Sequence, residues 1–271
     1  EEDQDEPEVK RRRAYTNVED IMISQLRKME EELQKDSRPD IVEMFSPPRV
    51  TKTGKGLGLK AGEAMDLITG WDFSREEDRR KAWKYIKEER PKLIIGSPPC
   101  TMFSMLQHMH KKTPEREEKL AEAKRHMEFM TEVYEHQLAR GGWFLHEHPH
   151  SAASWQLKGV WEMCLKPGVQ ITVADQCMYG LKTEGAKGQG PKPARKRTRF
   201  MTNCPGVAEE LQRKCDGGHA HQELLGKNRA GKAAEYPEEL CRATCRGLVN
   251  ELKPKPLRKL MKVTSKDKVE K

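Results

Sequence analysis

No stretch of the chain approaches the 18 or more apolar residues that a membrane-spanning helix requires, which excludes a membrane as partner for any helix in it. Aromatic residues make up only 6%, too few for a surface built mainly to stack unpaired bases. The seven cysteines are odd in number and irregularly spaced, so a disulfide scaffold is excluded and a reducing compartment is the simpler expectation. Residues 1–8 are acidic where a secretory leader would be basic and then apolar, so the expected location is intracellular, nucleus or cytoplasm. Glycine is also missing where a phosphate- or nucleoside-binding turn would want it. After the first apolar strand the chain reads Phe45, Ser46, Pro47, Pro48, Arg49.

What the chain does have is charge. Lys and Arg total 51 against 43 acids, a formal +8, which favours a polyanionic partner. The excess lies in three runs, residues 10–13, 192–199 and 253–271. The outer two read as solvated tails. The middle run falls between elements of a folded core, where it either contacts nucleic acid or forms a solvated loop.

Periodicity divides the chain into three parts. Residues 1–38 form a charged tail plus an amphipathic helix, opened by a capping pattern at residues 16–19 and carrying Val18, Ile21, Met22, Leu26, Met29 and Leu33 at helical spacing. Residues 16–35 are therefore a candidate surface for a protein partner. From 39 to 252, short apolar runs alternate with helical patterns. Strands are expected at 40–45, 64–67, 92–96, 143–147, 169–174 and 199–202. Helices are expected at 74–90, 113–140, 151–164 and 237–252, with 46–62 as a loop rich in Pro, Gly and Lys. Residues 253–271 are a basic tail. This alternation predicts an α/β domain, a mostly parallel sheet with helices on both faces, which binds ligands beyond the carboxyl ends of its strands.

The chemically distinctive residues fall at those ends. Cys100 follows two prolines just past a strand, a rigid placement for a nucleophile, and a helix starting there would lower its thiol pKa. A small buried residue at a turn reads equally well. Glu147 closes an otherwise apolar strand, where desolvation would raise its pKa and suit it to donate a proton; an ordinary solvated acid is the alternative. Strand alternation turns His146 and His148 together to the other face, away from Glu147. Cys204, Cys215, His219 and His221 offer four ligands within eighteen residues, a small zinc site or a polar loop with incidental histidines. Cys241 and Cys245, four apart on a helix, could join them.

Taken in order, these features resemble the cytosine-5 DNA methyltransferases: strand then Phe45-Ser46, Asp66, Pro98-Pro99-Cys100-x-x-Phe103-Ser104, Glu147-x-Pro149, Arg197-x-Arg199, and the closing helix region 233–250. The resemblance covers residues 40–250 and extends to methyltransferase-like segments embedded in retroelement polyproteins. It implies a Rossmann-like, S-adenosylmethionine-dependent methyltransferase fold acting on cytosine in nucleic acid, DNA before RNA. By that resemblance Cys100 attacks carbon 6 of a flipped cytosine and Glu147 holds and protonates the ring. Arg199 or Arg197 grips the base and phosphate. Phe45, Ser46 and Pro98 line the cofactor site, Asp66 meets the ribose, and Asp72 meets the adenine amine. The chain departs from the family pattern at three places. Pro47-Pro48 replaces a glycine turn, His148 stands where asparagine is usual, and the stretch for target recognition is very short. These departures leave a second expectation, a catalytically silent relative that binds nucleic acid.

Overall fold

The computed structural model describes residues 21–25, 36–105, 107, 111, 113–185, 190–226 and 229–253. The chain divides into two units, Glu1–Ser37 and Arg38–Lys271. In the first, residues 21–25 are helical and exposed; the rest of the expected amphipathic helix lies outside the described residues, as does the basic tail beyond Lys253. Among the described residues no helix is long and apolar enough to cross a membrane.

The second unit is built on β1 (Ile41–Met44), β2 (Ala61–Met65), β3 (Leu93–Gly96), β4 (Trp143–Pro149) and β5 (Gln170–Asp175), with the two-residue pair β6 (Lys182–Thr183) and β7 (Lys192–Pro193), and finally β8 (Arg197–Thr202). Six of them form one sheet in the order β2-β1-β3-β4-β8-β5. β2, β1, β3 and β4 run parallel. β8 is antiparallel to both of its neighbours, pairing His148 with Arg199 on one side and Val173 with Arg199 on the other. The central strands are apolar because both faces are covered: Leu93, Ile94 and Ile95 are fully buried.

Helices α2 (Glu76–Glu89), α3 (Pro114–Ala139) and α4 (Lys158–Cys164) cover one face. There Ala82, Ile86, Met127, Met130, Tyr134, Val160 and Met163 pack on Val42, Met44, Ile94, Phe144 and Met201. Met127, Met130 and Tyr134, three to four residues apart along α3, are thus core. Thr113 caps α3 through the amide of Arg116, with Pro114 at the first helical position. The opposite face is covered by α1 (Val50–Gly56), α5 (Pro205–Glu210) and α7 (Glu238–Leu252), whose Val50, Val207, Leu240, Ala243 and Leu248 pack on Ile41, Ile95, Leu145 and Phe200. α5 and α7 meet backbone to backbone: a Cβ on Gly206 or on Gly247 would run into the other's main chain. The short α6 (Arg229–Lys232) lies before α7.

This α/β architecture, a mostly parallel sheet between two helical layers, is compatible with a Rossmann-like fold. It differs locally from the sequence expectation. The segment expected as a loop, 46–62, contains α1, and β2 starts three residues before the expected 64. Residues 151–164 split into a 3-10 turn (Ala153–Gln156) and α4. Because the chain runs from β1 out to β2 and returns past β1 to β3, the strand order reverses between β1 and β3. A crevice opens at such a reversal, here between the loops that follow Met44 and Gly96.

Candidate active site

Two groups of residues stand at the carboxyl ends of the strands. The first lies over β3 and β4. Gly96 must be glycine, because a side chain there would collide with the Tyr134 hydroxyl. Beyond it Ser97 Oγ meets the Tyr236 hydroxyl at 2.5 Å, joining the β3 loop to the segment before α7. Cys100 follows, part-buried, at the start of a single 3-10 turn (Thr101–Phe103) rather than a helix. The expected depression of its pKa is absent. Burial, then the negative charge of Glu147, push the Cys100 thiol up, while the charge of Lys196 pulls it down.

Glu147 points to the α7 face and is 6% exposed. Lys196 Nζ lies 3.5 Å from its Oε1, yet that buried oxygen accepts no hydrogen bond among the described residues. Tyr236 is next to it: burial first, and then Glu147's charge, push the phenol well above its ordinary range. His146 and His148 turn to the other face, as alternation requires. Burial lowers the pKa of His148, against the opposing charge of Glu147. Its Nε2 donates to the Pro98 carbonyl at 2.8 Å, and its Nδ1 meets Ser154 Oγ at 2.6 Å. The ring thus clamps the loop that carries Cys100 onto the end of β4. His146 Nδ1 lies 3.0 Å from the Tyr134 hydroxyl, and burial pushes its pKa well down.

The two expected arginines do not join Glu147. In the β4–β8 pairing Glu147 faces Phe200, so the even-numbered residues of β8 share its side of the sheet and the odd-numbered ones share that of His148. Arg199 accordingly lies on the α3–α4 side, 4.9 Å over the Trp155 ring, with a buried Nε that has no hydrogen-bond partner among the described residues. Arg197 Nε binds Asp175 Oδ1 at 3.0 Å, and Arg195 joins the same carboxylate at 3.2 Å. The cation at Glu147 is Lys196, one position short of the Arg197-x-Arg199 motif. The middle basic run therefore has an internal role: three of its cations hold Asp175 and Glu147.

The second group lies over β1 and β2. Phe45 adopts a left-handed backbone (φ 57°), strain of about 1–3 kcal/mol for a side-chain-bearing residue. Its amide donates to the Met65 carbonyl at 2.8 Å, and its ring lies 4.6 Å from Phe73 and 5.0 Å from His126. Asp66, just past β2, caps a 3-10 turn through the Ile68 amide, leaving Leu67 and Ile68 exposed. Asp72 accepts from the Ser74 amide and hydroxyl, bonds that lower its pKa. So Phe45, Asp66 and Asp72 do gather at neighbouring strand ends. Ser46 is buried and donates to Glu43 Oε1 at 3.0 Å.

Glu43, a residue not singled out by the sequence, explains the Pro47-Pro48 loop. Fully buried at the end of β1, it accepts from Ser46 Oγ, the amides of Arg49, Val50 and Thr51, and Thr51 Oγ1, at 2.6–3.1 Å. Those amides open α1. The amino end of this helix is capped by the chain's own carboxylate, which is why a segment with two prolines and two glycines still turns into a helix.

Of the zinc candidates, Cys204 is buried at the start of α5 and stands apart from the others; Cys177, just past β5, takes its place beside Cys215, His219 and His221. Cys241 and Cys245 are buried in the α7 core and hold no part of that cluster. No family model matches the chain, and no characterised protein sequence matches it.

Proposed function

We propose that this protein transfers a methyl group to carbon 5 of cytosine in nucleic acid, DNA before RNA, through a covalent bond from Cys100. The observation that carries the reading is the buried Glu147, whose Oε1 accepts no hydrogen bond among the described residues and whose charge is close enough to Cys100 to raise the thiol pKa. A buried acceptor left without a donor is costly, about 1–3 kcal/mol, unless a ligand satisfies it. A cytosine turned out of its stack brings ring nitrogens to that oxygen while its carbon 6 faces the thiol.

The residues divide the chemistry. The Cys100 thiol loses its proton to solvent, and the sulfur bonds to carbon 6 and pushes the ring's π pair toward carbon 5, while Glu147 holds nitrogen 3 and relays a proton from solvent to it. After carbon 5 has gained its methyl group its proton passes to solvent, the electron pair re-forms the ring double bond as the carbon–sulfur bond breaks, the thiolate leaves, and nitrogen 3 gives its proton back through Glu147. Lys196 steadies both the carboxylate and the thiolate. His148, through Pro98, keeps the loop in place, the task an asparagine side-chain amide would perform. S-adenosylmethionine is the donor that the resemblance implies, and it would supply the methyl group. Phe45, Asp66 and Asp72 fit its nucleoside end. Its carboxylate finds no amide at α1, where Glu43 already accepts from Arg49, Val50 and Thr51.

That last observation favours a second reading, a silent relative that binds nucleic acid without the cofactor. Calorimetric titration with S-adenosylmethionine and its demethylated product separates the two. Micromolar binding, followed by transfer to cytosine in DNA or RNA, supports the enzyme. A well-folded protein that binds neither compound, yet binds nucleic acid in a salt-sensitive way, establishes the silent reading.

A further inference from the structure

Past the carboxyl end of β5, away from the crevice, the thiols of Cys177 and Cys215 and the rings of His219 and His221 converge. One ligand atom from each lies within 4.8 Å of every other. Cys215 Sγ is 3.4 Å from His221 Nε2 and 3.7 Å from His219 Nε2. A tetrahedral zinc ion, about 2.3 Å from sulfur and about 2.0–2.1 Å from nitrogen, sets those ligands about 3.6 Å apart. Both imidazoles thus approach the same sulfur through the nitrogen that a zinc ion would take. The backbone is also arranged for it. His219 and His221, two residues apart, bring their rings to within 4.6 Å of each other. Gly217 turns with φ 86° and donates its amide to Cys215 Sγ at 3.4 Å.

Arg213 ties the start of this segment to Glu210, Glu239 and Tyr179, and the Gln222 amide donates to the Pro193 carbonyl, but no regular element or sizeable core holds what lies between. Residues 212–226 contain no helix or strand, and the nearby apolar cluster is three buried residues, Leu181, Ala194 and Ala233. Its firm anchor is Asp175, fully buried, which accepts the Cys215 amide at 3.0 Å as well as Arg195 and Arg197. A metal is the usual substitute where an apolar core is this small.

We propose that Cys177, Cys215, His219 and His221 bind one zinc ion in a closed, four-ligand structural site that orders the segment between β8 and α7. The proposal is independent of the methyl-transfer reading, since neither Cys100 nor Glu147 takes part. The test uses the full chain purified under reducing conditions. Zinc content should be one ion per chain, and exchange into cobalt(II) should give the visible spectrum of tetrahedral thiolate coordination. Cys215→Ser and His221→Ala should lose the metal, His221→Cys should keep the tetrahedral spectrum, and Cys204→Ser should leave both metal and spectrum unchanged. Should the Cys215 and His221 variants fail to fold, chelation of the wild-type protein serves instead, with a lowered melting temperature that zinc restores. Folded, reduced protein that holds no zinc and gives no thiolate–cobalt band overturns the proposal. So does loss of metal from Cys204→Ser, a melt indifferent to chelation, or a Cys177–Cys215 disulfide as the native state of those two thiols.

Discussion

Glu43 and Glu147 are both carboxylates at the ends of parallel strands, buried on the same face of one sheet, and the protein treats them in opposite ways. Glu43 is saturated: five hydrogen bonds tie it to the loop and helix that follow. Glu147 keeps one buried oxygen without a hydrogen bond among the described residues, beside a lysine at 3.5 Å and a cysteine whose pKa its charge raises. Burial alone therefore does not mark a functional acid. The distinction is whether the structure has already supplied the partners, and only Glu147 is left for something that arrives from outside.

This contrast can be broken by experiment. The largest effect belongs to Cys100→Ser, expected to lower methyl transfer at least about 10⁴-fold, equivalent to about 5.5 kcal/mol in the barrier, with an unchanged melting temperature. Undiminished turnover would remove Cys100 as nucleophile. Next comes stability. Glu43→Ala strands several buried donors and should destabilise the fold by about 3–5 kcal/mol in urea unfolding. Glu147→Gln removes a charge that lacks full solvation, and should change stability by under about 1 kcal/mol while abolishing transfer. Equal losses of stability in the two variants would erase the difference between the carboxylates.

A pH profile sharpens it further. Because burial and Glu147 raise the Cys100 thiol, its alkylation by iodoacetamide should accelerate only at higher pH than for a free cysteine. Glu147→Gln should move that profile to lower pH, and Lys196→Met should move it higher. Shifts in the reverse directions would show that the three groups do not share a site. The smallest effect is expected for His148→Asn, which keeps a donor for the Pro98 carbonyl and should stay within about tenfold of wild-type turnover. His148→Leu, without a donor, should fall well below it.

Most of the sheet was legible because β1, β3, β4, β5 and β8 are short apolar or β-rich runs whose burial the sequence announces. The helix α1 was not, since its residues carry no apolar period; its stability comes from Glu43, on another element. Cys100 and Glu147 could be found from their place at strand ends, and the structure brings them together. Arg197 and Arg199 form a visible motif, whereas Lys196, the cation beside Glu147, carries no signal of its own, because its place follows from how the chain enters β8 and from that strand's pairing register. The cluster proposed to bind zinc was legible in three of its four residues, and the fourth was missed for a related reason. Cys204 is eleven residues from Cys215 and was counted, but Cys177, thirty-eight residues away, is delivered only by the turn after β5.

The placement of β8 also constrains how the chain folds. It is the last strand among the described residues, yet it lies between β4 and β5; β5 has no other neighbour in the sheet, and β4 has only β3 on its other side. During synthesis, then, β4 and β5 wait with bare edges until residue 202 has left the ribosome, while β1, β2 and β3 can already assemble. A nascent chain halted before Arg197 would present two open strand edges, and its expected fate is association with other chains rather than a shortened version of the same sheet.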